Sequence, residues 1–191
     1  MVKTFKQISS SYKWTDKSTK HSYDTIYPKY FENIRNEVKE MCEIGICRGD
    51  SLKLWEEYFP NATLTALDIN ELDVDGVPSL NHKRDRNNIY IMDSTNNLEV
   101  QENLGDKIFD IVIDDGSHNI DDQIKTLKNF WPLLKEGGIY VIEDIENIES
   151  FSRFGGIKNC DCYDLRDKKK RWDDLIIFIT KQNNDGDISK L

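Results

Sequence analysis

Cysteine is scarce in this chain. The four at positions 42, 47, 160 and 162 are too few and too unevenly spaced for a disulfide framework, and no pair of C-x-x-C doublets marks a structural zinc site. Reduced, mostly buried thiols are the expectation. No apolar run approaches the roughly 20 residues of a membrane span, and the start, Met-Val-Lys-Thr-Phe-Lys, lacks the apolar core of a signal peptide. A soluble, cytoplasmic protein with no membrane partner is therefore expected. Basic charge is also short, with 26 Lys and Arg against 35 Asp and Glu and a net charge of -9. That balance argues against nucleic-acid binding, which needs clustered cations on one face. The run Arg166-Asp-Lys-Lys-Lys-Arg171 is the counter-signal, and it reads as a solvated connection.

Apolar segments too short for a membrane are nevertheless regular. Strand-like and helix-like stretches alternate from about residue 38 to 145, which predicts an α/β domain with a doubly wound, mostly parallel sheet. Residues 1–22 read as a polar, mobile lead-in, 23–181 as one domain and 182–191 as a polar tail. Strands are expected at 38–44, 63–67, 89–92, 109–113, 139–142 and 175–180, the last as a closing central strand. Helices are expected at 26–35, at 52–59 behind an N-capping Ser51, and after Asn119, where an apolar stripe from Ile120 to Leu134 ends at Gly137 and Gly138. The charged stretch 71–88 reads as a loop or short irregular helix, with His82 in solvent, and the stretch before 175 as a polar connection.

Acids recur where these strands end. Glu43-Ile-Gly-Ile-Cys-Arg-Gly49 joins the first strand to a helix through Gly45 and Gly49, so backbone can approach a ligand at the helix N-terminus. Asp68 ends the second strand, where a carboxylate accepts ribose hydroxyls, and Asp93 ends the third, within reach of an adenine edge. The glycine spacing is not the tight G-x-G-x-x-G of a pyrophosphate site, and no Tyr-x-x-x-Lys pair is evident, so a nicotinamide-dependent dehydrogenase is disfavoured. The fourth and fifth strands run into Asp114-Asp-Gly-Ser-His118 and Val141-Ile-Glu-Asp144. Acidic pairs emerging side by side repel unless a cation lies between them. Carboxylates without a nearby Cys favour a hard ion, Mg²⁺ or Mn²⁺.

The ordered series resembles the class I S-adenosylmethionine-dependent methyltransferases, which implies a single Rossmann-like domain. Asp114-Asp-Gly-Ser-His118, Val141-Ile-Glu-Asp144 and Phe154-Gly-Gly156 resemble more narrowly the metal-dependent sugar O-methyltransferases that tailor macrolides, and the related cephalosporin-hydroxylase-like branch. Thr15-Asp-Lys17, His21-Ser-Tyr23, Tyr27 and Phe31 match that group's N-terminal element, which tends to cover the cofactor. The resemblance implies that Asp115, Glu143 and Asp144 bind Mg²⁺ and that His118 is the general base, acting beside Asp115. Glu43, Gly45, Gly49, Ser51, Asp68 and Asp93 are accordingly expected at S-adenosylmethionine, and Asp114 on the cofactor side or in strand-end structure. The implied acceptor is a hydroxyl of a sugar, glycoside or nucleotide-sugar, with homo-oligomerisation left open. A non-catalytic S-adenosylmethionine-binding module and an enzyme acting on a non-sugar hydroxyl are the alternatives.

Overall fold

Short β-branched and aromatic runs, buried on both faces, become the strands of one sheet. A computed structural model of the chain describes residues 2–70, 86–182, 188 and 191. Its sheet has seven strands in the order β3-β2-β1-β4-β5-β7-β6. The parallel part comprises β1 (Glu40–Ile44), β2 (Thr63–Asp68), β3 (Asn87–Ile91), β4 (Phe109–Asp114) and β5 (Leu134–Ile142). β7 (Leu175–Thr180) runs antiparallel to β5 and to β6 (Cys160–Asp164). Strand order reverses between β1 and β4, and a sheet of this kind opens its crevice there, beyond the C-terminal strand ends.

The period of two along each strand divides the core. Met41, Ile111, Ile113, Val141 and Phe178 face one side, under Trp55 and Tyr58 of α3 (Asp50–Tyr58) and under Tyr27 and Phe31 of α2 (Tyr27–Phe31). Cys42, Val112, Tyr140, Ile142 and Ile177 face the other, under Val100 and Leu104 of α4 (Asn97–Leu104) and Ile124, Leu127 and Phe130 of α5 (Ile120–Phe130). Rings pack the first side densely: Trp55 lies 5.2 Å from Tyr27, 5.6 Å from Phe5 and 5.8 Å from Phe59, centroid to centroid. Such pairs add about 0.5–1.5 kcal/mol each beyond the area they bury.

Several elements depart from the expectation. The described part of the lead-in, residues 2–22, is anchored in the domain: α1 (Phe5–Ser9), capped by Thr4, sends Phe5 and Ile8 into the core, and Lys17 and His21 are also buried. The helix expected at 26–35 is a 3-10 turn (Tyr23–Thr25), α2 and a second 3-10 turn (Glu32–Ile34). Gly49, left-handed at φ 74°, caps α3 in place of Ser51, which lies inside the helix. Asn119 caps α5 as expected, accepting from the amides of Asp121 and Asp122. The stripe stops at Phe130, because Pro132 turns the chain into a 3-10 segment (Trp131–Leu133); Leu134, Gly137 and Gly138 belong to β5. β6, read as polar connection, alternates too weakly to have been visible. Residues 71–85, with His82, lie outside the described residues.

Candidate metal and cofactor site

A cavity of about 750 Å³ lies at the C-terminal strand ends, lined by Gly45, Asp68, Met92, Asp115, His118 and Asp144, among others, and by Trp14 to Lys17 of the N-terminal segment. Strand pairing continues past both acidic ends. The Asp115 amide donates to the Ile44 carbonyl and the Glu143 amide to the Asp114 carbonyl, each at 2.9 Å. His118 and Asp144 then take left-handed backbone, at φ 57° and 51°. That conformation is uncommon outside glycine but accessible to Asp and His, and it turns both side chains back toward the strand end.

His118 Nε2 lies 3.4 Å from Asp115 Oδ1 and 3.8 Å from Asp144 Oδ2. One ligand atom from each of the three residues lies within 4.8 Å of the others, and carboxylate oxygens suit a hard divalent ion. The electrostatics agree. Contact with the Asp115 carboxylate pushes His118 up to about 9. Burial, with the Asp115 charge, raises Asp144 to about 6. Burial opposes the charge of Asp115 too, but the Lys17 ammonium and the His118 imidazole together outweigh it and hold that carboxyl below the usual range.

Glu143, expected beside them at the ion, is occupied otherwise. Its two oxygens accept from Lys17 Nζ at 2.8 and 2.7 Å, and Oε1 also accepts from the Tyr27 hydroxyl. Its carboxylate therefore stands outside the group formed by Asp115, His118 and Asp144.

Among the expected cofactor residues, Gly45, Ser51, Asp68 and Asp93 line the cavity, whereas Glu43, Gly49 and Asp114 do not. Glu43 is buried and accepts from Ser51 Oγ and Trp55 Nε1, both at 2.8 Å, so it fastens α3 to β1. Burial raises its pKa to about 7. Asp114 turns to the opposite face from Asp115, where its Oδ1 accepts from the Gly116 amide at 3.2 Å. Gly49 serves as the α3 cap. Gly45 is needed for a backbone approach as expected, but the partner is the protein itself: a Cβ there would meet the Asp115 carbonyl oxygen at 2.0 Å. Asp68 Oδ2 accepts from the amides of Ile46 and Cys47 at 3.1 and 3.3 Å, tying the glycine loop to β2. Asp93 Oδ1 accepts from Thr95 N and Oγ1 at 2.8 Å.

The N-terminal element supplies side chains whose roles the sequence left unread. Lys17 reaches Asp115 Oδ2 at 2.8 Å, Tyr23 donates to Asp144 Oδ1 at 2.5 Å, and His21 Nδ1 lies 3.4 Å from that same oxygen. Lys17 and His21 in the Ser- and Thr-rich lead-in, and Tyr23 just beyond it, gave no periodic signal; the resemblance of these residues to the group's N-terminal element was the available clue.

A family model described as a methyltransferase domain matches residues 42–145, which runs from β1 through both acidic strand ends. The chain belongs to this methyltransferase family. Over 135 residues the domain is 33% identical to an 8-demethyl-8-(2-methoxy-alpha-L-rhamnosyl)-tetracenomycin-C 3'-O-methyltransferase of Streptomyces olivaceus, covering 65% of this chain and 32% of that protein. It is 31% identical to the mycinamicin VI 2''-O-methyltransferase of Micromonospora griseorubida, covering 73% of this chain and 35% of that protein. The chain thus spans about a third of the length of these curated relatives. Among solved structures it matches the MycE methyltransferase in complex with Mg, SAH and mycinamycin VI, with a TM-score of 0.76 and 22% identity over 96% of this chain and 55% of that one. That likeness is one of fold, and it identifies this methyltransferase domain's sheet as the class I arrangement.

Proposed function

We propose that this methyltransferase domain is a divalent-cation-dependent O-methyltransferase that moves the methyl group of S-adenosylmethionine to a hydroxyl of a sugar or glycoside. The observation that carries the reading is the convergence of Asp115, His118 and Asp144 on one edge of the strand-end cavity. The curated relatives are named as O-methyltransferases of glycosylated small molecules, and the MycE structures hold Mg and SAH.

In this reading Asp115 and Asp144 hold the ion from the ends of β4 and β5. Bound Mg²⁺ or Mn²⁺ supplies a Lewis acid that lowers the pKa of an acceptor hydroxyl. His118 takes the hydroxyl proton at Nε2, the nitrogen that faces both carboxylates. Its imidazole must be neutral to do so. Without a cation Asp115 and Asp144 hold a proton on it up to about 9; with those carboxylates engaged by an ion, that hold on the proton would weaken. Asp68 and Asp93, which line the cavity, would accept from the cofactor's ribose and adenine, and the Gly45 loop, which also lines it, would border the cofactor.

The basic run carries counter-charges of its own. Arg166 pairs with Asp164, Lys170 with Asp167 and Arg171 with Asp173, while Lys169 donates to the carbonyls of Ser18 and His21. Of these contacts, the Lys170–Asp167 pair is exposed to solvent. No helix among the described residues is long and apolar enough to cross a membrane.

The test is a mass-spectrometric screen of sugars, glycosides and nucleotide-sugars for a one-methyl gain in the presence of S-adenosylmethionine. Methylation that requires Mg²⁺ or Mn²⁺ supports the reading. Equal activity in a chelator contradicts the metal assignment, and cofactor binding with no methyl gain across the panel favours a non-catalytic binding module.

A further inference from the structure

Lys17 is 1% exposed, a degree of burial that lysines rarely reach without a paired charge. Its ammonium lies 2.8 Å from Asp115 Oδ2, 2.7 Å from Glu143 Oε2 and 3.7 Å from Glu43 Oε1. Glu43 already has both oxygens satisfied by Ser51 and Trp55. The ammonium's hydrogen bonds therefore fall on Asp115 and Glu143, at the ends of neighbouring strands.

Those positions matter because Asp115 is also one of the residues that converge with His118 and Asp144. A Mg²⁺ ion takes carboxylate oxygens at about 2.0–2.1 Å and demands near-octahedral geometry, so an oxygen engaged by an ammonium is poorly placed for it. Lys17 occupies one oxygen of Asp115 and both of Glu143. The residues preceding it, Trp14 to Asp16, line the same cavity, and the Trp14 amide is fastened to Asp50 Oδ2 at 2.8 Å. Lys17 thus joins a cavity-lining carboxylate, Asp115, to the fully buried Glu143, from a segment that itself forms part of the cavity lining.

We propose that Lys17 is a positioning residue: an internal counter-ion, held against Glu143, that contends with the divalent ion for Asp115 Oδ2 and thereby couples ion binding to the seating of the 14–17 segment. The inference rests on the reading of Asp115 and Asp144 as cation-holding.

The experiment is calorimetric titration of Mg²⁺, and separately Mn²⁺, into the chelator-treated full chain and into Lys17→Met. Removing the ammonium leaves the acids unshielded, so the variant should bind the ion at least about tenfold more tightly, since opposite charges attract strongly in a buried site. Its ion-free melting temperature should fall, and added ion should raise it by more than in the original chain. Unchanged or weaker affinity in Lys17→Met, with binding intact in the original chain, overturns the Lys17 proposal and leaves the cation reading standing. Absence of binding in both overturns the two together. Should Lys17→Met not fold, reductive methylation of the unaltered protein, read by mass spectrometry, decides instead. Labelling of Lys17 that rises with Mg²⁺ and shares the calorimetric half-point supports the proposal; equal protection in saturating Mg²⁺ and in chelator overturns it.

Discussion

Gly45 and Asp115 meet backbone to backbone at the point where strand order reverses. A Cβ on Gly45 would lie 2.0 Å from the Asp115 carbonyl oxygen, and Gly45 itself is left-handed at φ 82°. The glycine loop that lines one side of the cavity is thus pressed against the acidic residue that lines another. Gly45→Ala combines a left-handed penalty of about 1–2 kcal/mol with overpacking of typically 1–3 kcal/mol. Urea unfolding should show a loss of about 2–5 kcal/mol by that sum, with weakened ion binding, because the Asp115 backbone must shift. Stability indistinguishable from the original chain would show that the approach is not close.

His118 gives the pH dependence. In the ion-free protein its folded-state pKa stands at about 9, above the ordinary value. A raised folded pKa contributes stability that is fully present below the unfolded value of about 6.5 and is lost as pH rises through the folded one. The ion-free chain should therefore lose stability between those two values, and His118→Ala should flatten that limb. An NMR titration of the imidazole in chelator checks the midpoint, and saturating Mg²⁺ should lower it. A midpoint near the ordinary histidine value in chelator contradicts the contact with Asp115.

Much of this was legible in the sequence because strand ends announce themselves chemically. Asp68, Asp93, Asp115 and Asp144 each follow an apolar run, and each lines the cavity. What the sequence could not separate was which face a strand-end acid takes. Asp114 and Asp115 are adjacent, yet the pleat sends them to opposite sides. Nor could the sequence show the protein partners of Glu43 and Glu143, since Trp55, Lys17 and Tyr27 come from other elements. Lys17 is 98 residues from Asp115 along the chain, and no local pattern encodes such a contact. β6 escaped notice because Cys160–Asp164 is largely exposed on a sheet edge and needs no apolar alternation.

Asn119 caps the helix that immediately follows His118, through bonds of 3.0 and 3.3 Å to the Asp121 and Asp122 amides. Replacing it by Ala should reduce stability by about 1 kcal/mol, the usual worth of such a cap. Cofactor affinity should hold, because Asn119 is not part of the cavity lining. Chemical denaturation with parallel calorimetry checks both; a loss of cofactor binding without a loss of stability would assign Asn119 to the site instead.

The central claim is that cofactor and cation occupy separate parts of one cavity, with Asp115 serving the cation. It is tested most directly by calorimetric titration of S-adenosylmethionine and of Mg²⁺ into the original chain and into Asp115→Ala. Both ligands should bind the original chain, and the variant should lose Mg²⁺ while keeping S-adenosylmethionine affinity within a few-fold. Undiminished Mg²⁺ affinity in Asp115→Ala, or binding of NAD in place of S-adenosylmethionine, would contradict the account.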